Sequence, residues 1–190
     1  MRMRHPDGQV FEFDAGALCQ EFVFTGGEGF RARFETFTAP VDVAEWTARS
    51  RLGIDGVAVS DEEFATLWRL REALWSLTQA AVAGEALDPP SVRLVNDLAA
   101  GAPPAPQLVD GAVGWRRPVD GTQVAAAVAR DAAVTLAEPT VRRLRRCAGD
   151  NCLLTYVDAS RQGNRRWCAM ERCGNRHKIR EFRQRQGRPT

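Results

Sequence analysis

The chain has 190 residues, 44% apolar and 26% charged, enough to build one core or one core plus a small module. No apolar run approaches the roughly 20 residues of a membrane span. The start, Met1 to Pro6, leads into polar residues and not an apolar leader core, so no signal peptide is expected. This composition argues against a membrane protein, a secreted disulfide scaffold and a wholly disordered chain, and the expectation is a soluble, cytoplasmic protein. The net charge of +2 hides a division: residues 1–140 carry 12 Arg against 20 acids, and residues 141–190 carry 14 cations against 4 acids. An acidic body with a basic module follows from that asymmetry. A coding bias toward Arg explains 25 Arg to one Lys, but not the crowding of cations into the last 50 residues.

The predicted elements, in chain order, begin with a β-hairpin turning at Asp7-Gly8, with Gln9 to Phe13 as its second strand. Ala15 to Phe24 reads as a short helix stopping before Gly26-Gly27. Arg31 to Phe37 alternates and reads as a strand. Asp42 to Leu52 reads as a helix ended by Gly53.

Ser60 and Glu63 form a capping box that opens the strongest helix. Leu67, Leu70, Leu74, Leu77 and Ala81 share one face of it, flanked by Trp68 and Trp75, and Gly84 ends it. Core packing accounts for this stripe; the competing reading makes the Trp residues the wall of a ligand pocket. Another helix follows Pro89-Pro90, from Ser91 to Ala100. Gly101 to Pro106 reads as a loop and Asp110-Gly111 as a second hairpin turn. Thr122 to Leu136 is an Ala-rich helix.

The last 50 residues hold Cys147, Cys152, Cys168 and Cys173, two C-x4-C pairs separated by 15 residues. Zn²⁺ takes four thiolates tetrahedrally, and two such pairs on a hairpin bring four sulfurs together. Cys152 to Val157 reads as a strand and Ser160 to Arg166 as a polar loop. An iron–sulfur cluster also uses four thiolates, and disulfides require an oxidising compartment that nothing here indicates. The two matched pairs in so small a module favour one structural Zn²⁺ per chain, with no open coordination position. Cys19, in an apolar helix, reads as a small core residue, with a reactive thiol as the alternative.

From Cys168 onward the chain is read as a basic helix. Arg172, Arg176, Arg180 and Arg183 then fall on one stripe, with Ile179 and Phe182 beside it to pin the helix to the zinc hairpin. Arg165 and Arg166 extend the positive surface and Lys178 adds to it. Such a surface suits phosphate contacts on double-stranded DNA, or else is a solvated face. Asn175 reads an adenine or caps a turn. Trp167 is expected to pack over the hairpin, and His177 to lie at the surface or behind the ligands.

Arg146-Cys147-x4-Cys152, Ser160-Arg161, Arg165-Arg166-Trp167-Cys168-x-Met170-x-x-Cys173 and the tetrad Cys173-Gly174-Asn175-Arg176 together resemble the CGNR zinc finger over about 45 residues. More weakly, Ala17 to Thr25 and Arg69 to Leu74 resemble the ABATE domain that accompanies that finger in bacterial stress-induced transcription regulators. That family usually carries Asn where this chain has Phe24. The resemblance implies a DNA-binding zinc finger behind a mostly helical domain.

The expected fold class is therefore α+β: a mainly helical domain with small β-hairpins over residues 1–140, then a four-cysteine module over 141–190 built of a β-hairpin and a C-terminal helix. The leading function is a DNA-binding transcription regulator, with possible homodimerisation and a small ligand or protein partner at the N-terminal domain. The alternative is a zinc-stapled protein-interaction module whose basic tail docks on an acidic partner or on its own body. RNA ranks below DNA because Tyr156, Trp167 and Phe182 alone are available in the tail for stacking. Two His residues, no phosphate-cradling loop and no nucleophile elbow argue against an enzyme.

Overall fold

A computed structural model describes residues 1–5 and 7–186. Pro6 and residues 187–190, the end of the basic module, lie outside the described residues.

Strands β1 (Arg2–Arg4) and β2 (Val10–Glu12) pair antiparallel, Met3 opposite Phe11, around the expected turn. The chain continues extended, and Phe11, Phe13 and Ala15 point one way and are buried while Glu12 and Asp14 are exposed, the period-2 pattern of a half-buried strand. Helix α1 (Leu18–Val23) is shorter than its apolar run and is buried along its whole length. Gly16 precedes it at φ +76, and a Cβ there would strike the Val157 carbonyl, so only glycine lets the two segments meet.

The segment read as a strand, Arg31 to Phe37, forms instead a 3-10 helix over Gly29–Phe34. The alternation was a three-residue repeat: Arg31 and Phe34 lie on one side of such a turn. Arg31 is buried, donating to the Gly26 carbonyl (3.1 Å) and pairing with Glu72 while its guanidinium lies over the Trp75 ring. Helix α2 (Pro40–Arg49) starts two residues earlier than expected because Pro40 fits its first turn, and Asp42 caps it through the Thr38 and Ala39 amides.

Helix α3 (Asp61–Ala83) runs through the centre, opened by the Ser60–Glu63 capping box and closed at Gly84. Leu67, Leu70, Leu74 and Leu77 are all at most 1% exposed. Helices α4 (Pro89–Ala99) and α5 (Gly121–Thr135) pack on it, with α1 against α3 and α5. Asp88 and Asp120 supply the caps of α4 and α5. Between them β3 (Pro106–Val109) and β4 (Ala112–Trp115) form the second expected hairpin, its turn residues Asp110 and Gly111 both in the left-handed region. Cys19 is buried in this core, and burial pushes its thiol up from its ordinary value, which suits a packing residue and not a nucleophile.

The third hairpin pairs β5 (Leu144–Arg146) with β6 (Thr155–Val157), Arg145 opposite Tyr156. The strand after Cys152 is thus shorter than its apolar run. Leu144 and Val157 join the helical core, whereas Tyr156 faces a second cluster with Phe11, Phe13, Cys147, Cys168, Ala169 and Cys173. The amino-terminal hairpin therefore completes the core of the four-cysteine module, although 130 residues separate them in sequence. A π-turn (Met170–Gly174) leads into α6 (Asn175–Gln186), so the carboxy-terminal helix starts after the last cysteine and not at Cys168.

Candidate metal centre and basic face

The four expected cysteines converge. Their Sγ atoms all lie within 4.8 Å of one another. Sγ of Cys168 is 3.5 Å from that of Cys173 and 3.9 Å from that of Cys152. A tetrahedral zinc with Zn–S of about 2.3 Å requires sulfurs about 3.8 Å apart, so the residues present fit one structural Zn²⁺. Cys147, Cys168 and Cys173 are buried and Cys152 half-buried.

Local backbone prepares the sulfurs. Cys147 directly follows β5, and its Sγ accepts from the Gly149 and Cys168 amides at 3.4 and 3.2 Å. A Cβ on Gly149 would lie 2.7 Å from Cys173 Sγ, so glycine is required for the close approach of this turn. Cys173 is presented by the π-turn, closed by the Gly174 amide on the Ala169 carbonyl at 3.2 Å. Four thiols so close cannot all ionise without a cation among them; hydrogen bonding with Cys152 foremost pulls the Cys147 thiol down, and hydrogen bonding with Cys147 foremost pushes those of Cys152 and Cys168 up.

Around the centre, two arginines expected at a nucleic-acid surface are occupied elsewhere. Arg172 is only 4% exposed, its Nη1 donating to Gln9 Oε1 at 2.6 Å and its guanidinium reaching Asp7 at 3.3 Å above the Phe11 ring. Arg165 lies 3.9 Å over the Tyr156 ring and donates to the carbonyls of Asp14 (2.8 Å) and Trp167 (2.9 Å). Both are cations that meet carbonyl, amide or carboxylate partners and hold the finger to the amino-terminal segment. Tyr156 is fully buried, donates to the Arg165 carbonyl at 2.8 Å, and burial pushes its hydroxyl up to about 12.

The rest of the expected set is exposed. Arg176 pairs with Asp7 at 2.7 Å and Arg180 with Asp150. Arg166 lies over Trp167 at 5.1 Å. Asn175 stands exposed at the first residue of α6, and Lys178 and Arg183 are exposed farther along it. Arg176, Arg180 and Arg183 share one side of α6, whereas Lys178 falls about 160° round the helix from Arg176. Ile179 and Phe182 do not pin the helix; they are 53% and 59% exposed. The anchor is His177, half-buried and stacked on Trp167 with ring centroids 4.7 Å apart.

Residues that the sequence reading did not single out finish the site. Glu171 accepts from the Glu12 amide at 2.6 Å, while its own carbonyl takes the Gln9 side chain at 3.2 Å. Thr155 donates to Gln20, which donates to Thr78, a buried chain from β6 through α1 to α3. No local spacing announces these contacts, because each joins segments more than 50 residues apart. Gly149 between Cys147 and Cys152 was the one with a local signal.

Two family models match the chain. One, described as "Putative stress-induced transcription regulator" and named ABATE, matches residues 16–139. The other, the CGNR zinc finger, matches residues 143–186. No curated protein matches it. Among the described residues no helix is long and apolar enough to cross a membrane.

Proposed function

The chain belongs to the ABATE family and carries a CGNR zinc finger, and from that premise we propose that it is a transcription regulator that grips double-stranded DNA with the basic face of its finger. The observation that carries this reading is the placement of Arg166 and Arg183, exposed cations beside or on a helix whose start is set by the thiolate site, Arg183 on the stripe of Arg176 and Arg180, with Lys178 exposed on the other side. Among the described residues no ion pair engages Arg166, Lys178 or Arg183. Arg176 and Arg180 add to the face when phosphates replace Asp7 and Asp150 as their partners. Asn175, at the exposed start of α6, is the candidate for a base contact. The closed thiolate site leaves zinc a structural role, with no position for a substrate.

The test is fluorescence anisotropy of the zinc-loaded protein on duplex DNA, single-stranded DNA and RNA across a salt series. Duplex binding should weaken with salt by a log–log slope of about 0.9 per phosphate contacted. Arg166→Glu with Arg183→Glu should lower affinity and flatten that slope by about 2 while zinc stays bound. Unchanged binding would reject this surface.

A second reading is favoured by one specific contact. Arg172 and Arg176 already engage Asp7 of the amino-terminal hairpin, as a finger docked on its own body would. If that contact restrains the basic face, Asp7→Ala raises duplex affinity by freeing Arg176. An unchanged affinity removes the restraint and leaves the contact a structural one.

A further inference from the structure

Between the helical body and the finger lies a cleft of about 540 Å³. That is within the roughly 300–1,000 Å³ range of small-molecule sites, and junctions between two units are a frequent place for them. Its body wall is aromatic. Phe30, 45% exposed, meets Trp75 edge-on with centroids 5.9 Å apart, and Phe24 meets the same ring at 6.2 Å and 88°. The facing wall is the turn through Gly149 and Leu153 together with Arg176, His177 and Arg180 of α6.

The charge of the lining is one-sided. Six arginines border the cleft against a single carboxylate, Asp150; four of the six are already paired, Arg180 with Asp150, Arg31 with Glu72, and Arg172 and Arg176 with Asp7, while the ion pairs of the described residues include neither Arg4 nor Arg33. On the body side Arg33 is exposed, lies over the Phe34 ring, and gives its Nε to the Phe30 carbonyl at 3.1 Å, leaving its terminal amino groups for another acceptor. Apolar aromatic surface that stays open to water, rimmed by guanidinium groups, is complementary to a flat apolar ring bearing an anionic group: the ring replaces water on Phe30 and Trp75, and the anion takes a charge-assisted hydrogen bond.

We propose that this cleft binds a small aromatic acid, with Phe24, Phe30 and Trp75 covering the ring and Arg33 taking the carboxylate. The site itself stands on the cleft. Its regulatory meaning rests on the DNA-binding reading above, because Arg176 and Arg180 belong to both the cleft wall and the basic face. A bound acid lying against the wall those two side chains form would thereby change how the finger meets phosphate. Trp75, which flanks the leucine stripe, is then pocket wall, while the leucines of the same helix are core.

The experiment uses the full-length, zinc-loaded protein without DNA, titrated with 2-naphthoate and with its uncharged analogue 2-naphthalenemethanol, followed by calorimetry and tryptophan fluorescence. One naphthoate should bind per chain, about tenfold tighter than the alcohol, the worth of one charge-assisted hydrogen bond. Arg33→Gln should abolish that preference, and Phe30→Ala should weaken both probes, each with zinc content and circular dichroism unchanged. No saturable naphthoate binding at millimolar concentration, or binding that neither variant alters, overturns the proposal. The outcome is independent of the DNA assay. Duplex binding without naphthoate binding rejects the cleft and keeps the regulator; naphthoate binding without duplex binding does the reverse.

Discussion

Arg172, one residue before the last zinc ligand, is buried against Asp7 of the amino-terminal hairpin, with Nη2 3.3 Å from the carboxylate. The two residues stand 165 positions apart, and residues 1–15 precede both family matches. The zinc module is thus closed by the far end of the chain, through the Phe11 and Phe13 rings as well as this ion pair.

Deleting residues 1–14 should therefore weaken zinc retention, although none of the deleted residues is a ligand. Phe11, Phe13 and the Asp7 and Gln9 partners of Arg172 would be lost, exposing Tyr156 and the cysteine cluster to water. Competition with a chromophoric chelator should show faster and more complete zinc loss than in the full chain. Cys147→Ser should abolish stoichiometric zinc, whereas Cys19→Ser should retain it, since Cys19 lies in the other core. In small zinc peptides binding supplies about 10–16 kcal/mol of folding energy. Chelation should accordingly unfold the finger and also raise amide exchange in β1 and β2.

Acid should loosen the finger through two carboxylates. For Asp158, burial pushes its carboxyl up, but hydrogen bonds from Ser160 and the Arg165 amide, together with the Arg143 charge, outweigh that and leave it below its ordinary value. The Gln9 amide foremost, then Arg172, holds Asp7 well below its own. A folded-state value below the unfolded one contributes stability that is present above the ordinary carboxylate range, about 4, and lost as pH falls through the folded value. Asp158→Asn should lower stability at neutral pH and flatten the acid limb of a thermal-melt series from pH 7 to pH 3. An acid limb of unchanged slope would contradict this assignment.

In the helical body, Arg71 is fully buried, doubly bonded to Glu35 at 2.8 and 2.7 Å, bonded to Thr25 at 3.1 Å, and laid 4.2 Å over Trp68. Arg71→Met should cost about 3–5 kcal/mol, because Glu35 is left without its cation. Arg71→Lys should rescue little, since an ammonium neither bonds Glu35 in two places nor stacks as a plane. Urea denaturation followed by tryptophan fluorescence measures both.

Two leucines separate core from surface. Leu74 is 1% exposed in α3 and Leu108 is 82% exposed on β3. Leu74→Ala should destabilise by about 2–5 kcal/mol through lost transfer energy and a cavity. Leu108→Ala should stay within about 0.5 kcal/mol. A large effect at Leu108 in a concentration-dependent melt would reveal a partner surface on that hairpin.

Local chemistry in the sequence determined the helices that begin with Ser60, Asp88 and Asp120 and the turns at Asp7-Gly8 and Asp110-Gly111, because caps and left-handed turn positions act within four residues. It also determined the four zinc ligands, since a thiolate pair carries its chemistry in its spacing. Tertiary structure alone decided the rest. Arg31 to Phe37 alternates like a strand, yet Glu72 and Trp75, some 40 residues on, draw Arg31 inward and wind the segment as a 3-10 turn. Arg165 and Arg172 look like phosphate contacts in a basic run until Tyr156, Gln9 and Asp7 claim them, while Ile179 and Phe182 look like anchors and stand in water. A guanidinium serves equally as surface charge or as buried donor, and which it becomes depends on acceptors that only the folded chain brings within 3 Å of it.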